Sequence, residues 1–196
     1  MWQPVLFGGL AGAVTVVGIL LIRLWHEQAL RYSHYINSFA AGLILTAAVS
    51  VLLPHSLEAN EHAPLYVLAG FTAFLILEAF LVMHSGAEVH YPERQRLAAR
   101  GMVFFWGLFF HSLLDGLIIA VGFATGPKLG LVTALAVVAH ELPEGVTTFS
   151  LLLQRIDERR AMALALAVAL ATPAGALVGV TLLPALEPAF MGALLA

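Results

Sequence analysis

The sequence lacks cysteine altogether and has little charge. None of its 196 residues is a cysteine, which excludes disulfide bridges, thiolate metal ligands and cysteine nucleophiles. Only 11% of the residues are charged, whereas an ordinary soluble domain has about 25%. The 9 basic and 12 acidic residues leave no basic surplus, and nucleic-acid binding would require one. A nucleic-acid partner is therefore excluded, and any metal site must consist of histidines and carboxylates.

Apolar residues take the place of charge. They make up 61% of the sequence, and the mean hydropathy is +0.94. A helix needs about 20 residues to cross a hydrocarbon core of about 30 Å. The uncharged stretches predict six such helices, numbered here as spans 1 to 6, at about 4–23, 35–54, 64–84, 101–123, 129–154 and 161–183. We therefore expect an all-α polytopic transmembrane helix bundle, with a single transmembrane domain over residues 1–196 and no separate soluble domain.

The positive charges fall in alternate loops. The cations that follow spans 1, 3 and 5 are Arg23, Arg31, Arg94, Arg96, Arg100, Arg155, Arg159 and Arg160, against Lys128 in the other loops. By the positive-inside rule, the arginine-bearing loops are cytoplasmic and the N-terminus is outside. The compact loops and the lack of a targeting extension favour a multi-pass protein of the cell membrane, in a bacterial inner membrane.

The sequence ends in a short apolar run after two prolines, Pro184 and Pro188. Residues 189–196 are too few to cross a bilayer. We expect this run to be the start of a truncated seventh helix and the chain to be a fragment. A homodimer is one arrangement in which six full spans would suffice for function.

The same ionisable pattern, His-x-x-x-acid-Gly, occurs in spans 4 and 5. Span 4 contains His111 and Asp115, and span 5 contains His140 and Glu144. Residues four apart share a helix face, so each span presents one imidazole beside one carboxylate. Two such faces in contact would form a four-ligand nitrogen and oxygen site suited to Zn²⁺, Fe²⁺ or Mn²⁺. Ionisable groups at membrane depth are costly and are functional candidates by default.

Two neighbours, Ser112 and Glu141, extend this pattern. Each follows one of the histidines, about 100° round its helix, where it could hold a second ion or a water molecule. Pro143 lacks an N–H and should free the carbonyl of Ala139 near the site. In a purely structural interpretation, the His–carboxylate pairs only hold spans 4 and 5 together through hydrogen bonds. Five ionisable groups exceed what such packing requires.

An enzymatic interpretation also has to be weighed. The run from His140 to Glu144 nearly reads as the metalloprotease signature H-E-x-x-H, which would make the chain an intramembrane zinc-dependent hydrolase with Glu141 as general base. That signature needs a second histidine where Glu144 stands. Ion passage matches the carboxylate better, and we expect no enzyme and no catalytic cofactor.

These motifs resemble those of the ZIP family of divalent metal transporters. The family's fourth and fifth helices carry His-x-x-x-acid-Gly and His-Glu-x-Pro-x as the transport site. Further similarity covers nearly the whole chain, at Ala41-Gly42, Leu52-Leu53-Pro54-His55, Leu77-Glu78 and Thr172-Pro173-Ala174-Gly175. The resemblance implies that His111, Asp115, His140 and Glu144 are metal ligands, and that Ser112 and Glu141 belong to a second site bridged by the two carboxylates.

The sequence departs from the family's pattern at three positions. Leu114 stands where many members have proline, Ser112 where many have asparagine, and Thr172 where members with a well-formed two-metal site have a carboxylate. The last two changes predict one firmly held ion. The expected function is transport of a divalent metal ion into the cytoplasm by alternating access, with Zn²⁺, Fe²⁺, Mn²⁺ and Cd²⁺ left open because the same ligands accept all four.

Overall fold

The computed structural model describes residues 2–86 and 93–182, and every regular element within them is helical. Seven α-helices and one π-helix lie within these two ranges. They are α1 (Gln3–Leu24), α2 (His26–Ala47), the π-helix (Ala48–Leu52), α3 (Leu53–Ala59), α4 (Ala63–Gly86), α5 (Glu93–Thr125), α6 (Pro127–Leu153) and α7 (Glu158–Leu182). The predicted all-α architecture is confirmed. The predicted start of a seventh span at 189–196 lies outside the described residues.

Five segments are long and apolar enough to cross a membrane. Among the described residues these are Gln3–Leu24, Ser38–Ala59, Phe104–Thr125, Pro127–Leu153 and Glu158–Leu182. Predicted span 3 corresponds to α4. Within α4, Ala63–Ala73 is an apolar segment that is shorter than the five spans. Helices α2 and α5 also begin well before their apolar parts, because helical hydrogen bonding continues through polar residues outside a hydrocarbon core.

Helices α1, α5, α6 and α7 form the central bundle. Helix α5 packs against α6 and α7, α1 packs against α6 and α7, and α2 lies on the outer side of α6. The exposed ion pair between Arg23 and Glu158, 3.5 Å apart, joins the last turn of α1 to the first turn of α7. The same end of the bundle carries Arg155, Arg159 and Arg160, and we call it the arginine end.

Glycine pairs set how closely these helices approach. A Cβ on Gly116 of α5 would collide with the backbone carbonyl of Thr172, and one on Gly175 of α7 with that of Leu113. Helices α1 and α6 cross in the same way at Gly18 and Gly145. Small residues allow such backbone contact between membrane helices. Each pair therefore holds an acid-bearing helix against a neighbouring helix. The contact lies at the glycine directly after Asp115 in one helix and directly after Glu144 in the other.

The second span changes its winding part-way. Helix α2 passes into the π-helix at Ala48 and then into α3 at Leu53. Pro54 has no N–H and cannot complete the α-helical ladder to the preceding turn. Isolated π-turns within α-helices accommodate such interruptions and are frequent near functional sites. This irregular turn is a feature that hydropathy alone does not reveal.

Candidate metal centre

Helices α5 and α6 bring together the four residues of the repeated motif. His111 and Asp115 lie one turn apart on α5, and His140 and Glu144 lie one turn apart on α6. Because the two helices pack side by side, the paired faces meet. One ligand atom from each residue lies within 4.8 Å of the other three. Two imidazoles and two carboxylates at this separation can converge on a single cation.

The closest contacts centre on the two carboxylates. His140 Nε2 lies 3.1 Å from Asp115 Oδ2, and His111 Nε2 lies 3.4 Å from the same oxygen. Both Nε2 atoms lie 3.8 Å from Glu144 Oε2. The ring centroids of the two histidines are 5.6 Å apart. The four side chains therefore surround one small volume, which neither helix could enclose alone.

Two hydrogen bonds orient the ligands on α6. His140 Nδ1 lies 3.1 Å from the backbone carbonyl of Ala136, which directs Nε2 into the cluster, where it is hydrogen-bonded to Asp115 Oδ2. In a neutral ring that donates from Nδ1 to this carbonyl, Nε2 carries the lone pair that a metal ion requires. Ser112 is buried, and its hydroxyl lies 2.5 Å from Glu144 Oε1. The other oxygen, Glu144 Oε2, is buried and has no hydrogen-bond partner among the described residues. Buried polar atoms are rarely left unpaired, and a cation in the cluster would satisfy this one.

An open cavity of about 240 Å³ leads to the cluster. Besides three of the four ligands, it is lined by Ala40, Ala41, Ile44, Leu108, Pro143 and Thr147. His111 is the ligand that faces this space, with 53% of its side chain exposed. His140 and Glu144 are buried at its floor. Leu108 precedes the ligands on α5 and Thr147 follows them on α6, so the cavity extends toward the arginine end.

The opposite side of the cluster is closed by apolar packing. Ala11, Ile119, Ala134 and Val137 are buried together there, with Phe7, Ile118, Phe123 and Val138 packed around them. The rings of Phe7 and Phe123 stack with centroids 5.5 Å apart and tie α1 to α5. Within the part of the chain that the structure describes, the open cavity thus lies on one side of the cluster and this apolar packing on the other. We call this group the apolar seal.

Glu141 lies on a different face of α6 from the four-residue cluster. It is fully buried, and its two oxygens accept hydrogen bonds from Thr172 of α7, at 2.7 Å, and from Thr15 of α1. The structure therefore does not bring Glu141 into the cluster. Ser112 is hydrogen-bonded to Glu144 instead. A second ion at these two residues stays a prediction. Thr15 was not foreseen, because its only signal in the sequence is one hydroxyl in an apolar span.

Part of this chain matches a known protein family. Residues 83–194, more than half of the chain, match the family described as ZIP zinc transporter. An uncharacterized protein of Methanocaldococcus jannaschii is 28% identical over 149 residues, which cover 75% of this chain and 61% of that protein.

Two zinc transporters are also similar to this chain. Zinc transporter zipt-7.1 of Caenorhabditis briggsae is 24% identical over 174 residues, covering 60% of this chain and 44% of that protein. Zinc transporter ZIP4 of Homo sapiens is 37% identical over 102 residues, covering 50% of this chain and 16% of that protein. The chain thus spans less than two thirds of the length of each of these three relatives.

Proposed function

This chain belongs to the ZIP family of zinc transporters, a family of transporters and not of enzymes, and we propose that it carries a divalent metal ion through the cluster of His111, Asp115, His140 and Glu144. The chain is a multi-pass membrane protein by its family and its apolar helices. Zn²⁺ is the cargo favoured by the relatives named zinc transporters. Fe²⁺, Mn²⁺ and Cd²⁺ suit the same ligands.

One observation supports this function above all others. Four metal-ligating side chains converge within 4.8 Å of one another inside two apolar spans. Carboxylates and histidines are rare at this depth unless they bind, conduct or pair. Pairing alone does not account for the cluster, because Glu144 Oε2 is buried and no described residue donates a hydrogen bond to it. A bound cation supplies what that oxygen lacks.

The cavity and the apolar seal support a direction of transport. The cavity reaches the cluster from the arginine end, which the positive-inside rule assigns to the cytoplasm. The seal closes the Lys128 end. An ion held in this arrangement is released to the cytoplasmic side, and loading from outside requires a second state in which the seal opens. This is alternating access, the general scheme of transporters with a site near the membrane midplane.

The residues around the cluster have distinct parts in this scheme. Ser112 fixes the rotamer of Glu144 and leaves one of its oxygens to the ion. Ala136 fixes the ring of His140. Ala40 and Ala41 of α2 line the cavity with methyl groups and hold no ligand atom, so α2 can move past the ion without breaking a coordination bond. We propose that α2 shifts against the central bundle between the two states.

The hydrolase alternative has no support from the structure or from the family. Its general base would be Glu141, whose two oxygens are held by Thr15 and Thr172 on a different face of α6. The position that needs a second histidine is Glu144. Members of the ZIP family are transporters, and we do not propose this alternative further.

Metal uptake into proteoliposomes tests the proposal. The parent chain is compared with the double variant His140→Ala/Glu144→Ala and with Glu144→Gln, which keeps the shape of the side chain and its hydrogen bond from Ser112 but removes a charged ligand. Glu58→Gln, at an exposed carboxylate of α3, is the matched control. We expect Zn²⁺ uptake by the parent and the control and loss of uptake in both cluster variants.

Two results would contradict the proposal in different ways. Equal uptake by the parent and Glu144→Gln would remove the cluster from the path. Absence of both uptake and retained Zn²⁺ in the parent would remove the metal site itself. Retained Zn²⁺ without uptake, lost in the double variant, would support the site while showing that this length of chain does not complete a transport cycle.

A further inference from the structure

Glu141 is a buried acid that the proposed transport site does not use. No part of its side chain is exposed, and it is surrounded by α1 and α7 instead of the cavity. The hydroxyl of Thr172 donates to Oε1 at 2.7 Å, and that of Thr15 donates to Oε2. Both carboxylate oxygens are thus occupied by side chains from two other helices. Both oxygens already accept a buried hydrogen bond, and the side chain has no exposed surface through which an ion could approach them.

These hydrogen bonds lie at turns of α6 and α7 that are each weakened by a proline. Glu141 stands between His140 and Glu144, on the turn of α6 that Pro143 deprives of one backbone hydrogen bond. Thr172 precedes Pro173, which weakens α7 at the same level. The three-helix contact therefore joins two weakened turns. The backbone of α6 resists rotation least at this turn, because Pro143 removes one of its hydrogen bonds. The side-chain hydrogen bonds of Glu141 limit rotation at the same place.

The adjacent helix crossing reinforces the same turn. Gly145, one residue after Glu144, lies against the backbone carbonyl of Thr15, and Gly18 lies against that of Leu142. Thr15 thus contacts α6 both through its hydroxyl and through its backbone. The turn that carries half of the cluster is held on its far side by α1 and α7, while its near side faces α5.

We infer that Glu141 is a positioning residue that ties α1 and α7 to the ligand-bearing turn of α6, and that it does not ligate the transported ion. The inference rests on the proposed function, because the turn matters through His140 and Glu144. It assigns the chain one bound ion instead of two. Residues that orient metal ligands in this manner typically change metal affinity about 10- to 100-fold when they are lost.

Glutamine at position 141 separates the two roles of the carboxylate. Its oxygen can accept from Thr172, and its amide can donate to Thr15, whose own hydroxyl lies 3.1 Å from the carbonyl of Ala11 and can donate there. Glu141→Gln therefore keeps the three-helix contact but removes the charge that a metal ligand needs. Glu141→Ala removes both. Thr15→Val/Thr172→Val leaves the carboxylate and removes only its partners.

The experiment measures Zn²⁺ stoichiometry and affinity by calorimetry and the melting of the metal-free protein in detergent. Thr133→Val is the matched control, since Thr133 is a buried threonine of α6 whose hydroxyl bonds within its own helix to Leu129, at 2.9 Å. We expect one ion per chain in every variant. Glu141→Gln and the control should keep the parent's affinity within about threefold.

The variants that break the contact should behave differently. Glu141→Ala and the double valine variant should bind Zn²⁺ about 10- to 100-fold more weakly and melt about 4 °C or more below the parent. The visible spectrum of bound Co²⁺ should change in these two and stay unchanged in Glu141→Gln, because only displaced ligands alter the coordination geometry.

Three results bear on the inference in separate ways. Two ions in the parent and one in Glu141→Gln would overturn it and leave the proposed function standing. The inference would also be overturned if Glu141→Gln lost as much Zn²⁺ affinity and melting temperature as Glu141→Ala. If the parent binds no Zn²⁺, the proposed function fails and melting alone decides: a parent-like Glu141→Gln above Glu141→Ala supports the three-helix contact, and equal melting refutes it.

Discussion

Replacing Gly116 with alanine should damage both the packing of the bundle and the metal site. A Cβ at this position would collide with the backbone carbonyl of Thr172 and lie 2.5 Å from the backbone nitrogen of Ala176. Ordinary contacts of a Cβ begin near 3.4 Å. The obstacles are backbone atoms of α7, so no side chain can turn away. Helices α5 and α7 must therefore separate by roughly 1 Å.

The size of the effect follows from this collision. Overpacking of a tight interior costs about 1–3 kcal/mol and occasionally more, and the upper part of that range applies where only whole helices can give way. For a chain of this length we expect melting about 6–12 °C lower. Asp115 adjoins Gly116, and functional groups must be held within about 0.5 Å, so Zn²⁺ affinity should fall at least about tenfold.

Gly107 provides the matched control on the same helix. A Cβ at Gly107 meets no atom of the described residues within 4 Å, and alanine is favoured over glycine in a helix by about 1 kcal/mol. Gly107→Ala should therefore melt at or slightly above the parent temperature and bind Zn²⁺ equally well. Melting in detergent and calorimetric titration decide the matter. A Gly116→Ala protein that matches Gly107→Ala in both would refute the role given to the glycine crossing.

Three further outcomes are expected. Removal of the hydroxyl in Ser112→Ala frees Glu144 to rotate and should weaken Zn²⁺ binding about tenfold with transport still measurable; unchanged affinity would show that the hydroxyl does not orient the ligand. Because the chain has no cysteine, a single introduced cysteine can be labelled specifically. Leu108→Cys should react with a membrane-impermeant maleimide added at the arginine end, whereas Val137→Cys in the apolar seal should not. The reverse pattern would overturn the direction of access. Zn²⁺ affinity should decrease as pH falls from about 8 to 5, since a metal-binding histidine must be neutral and its unperturbed pKa is about 6.5; calorimetry that showed no pH dependence would count against histidine ligation.

Local periodicity was sufficient to predict which residues meet at the cluster. The spacing of His111 and Asp115, and of His140 and Glu144, places each pair on one face through helix geometry alone. Only one long-range fact was needed, that the two helices are neighbours, and a short connection at Gly126 makes them so. The structure brings these four together as the pattern indicated.

The surroundings of Glu141 depended on information that a single sequence does not contain. Its partners Thr15 and Thr172 come from helices at the two ends of the chain. Which helices lie behind α6 is decided by glycine-to-carbonyl crossings, and hydropathy does not report them. The π-helix of span 2 could not be predicted for a related reason. Its residues are nearly all apolar, and an apolar stretch indicates a membrane span whether it is wound as an α-helix or a π-helix. Composition locates membrane helices; packing decides what each face touches.

The charge of the cluster has a consequence for ion selection. Its two carboxylates, when ionised, carry two negative charges, and no lysine or arginine occurs in residues 101–127 or 129–154 to compensate them. A divalent cation cancels that charge completely, so the loaded cluster is neutral in a medium where isolated charges are very costly. A sodium or potassium ion would leave one charge uncompensated. If these residues bind the transported ion, we expect the cluster to distinguish cations by valence as well as by ligand type and ion size.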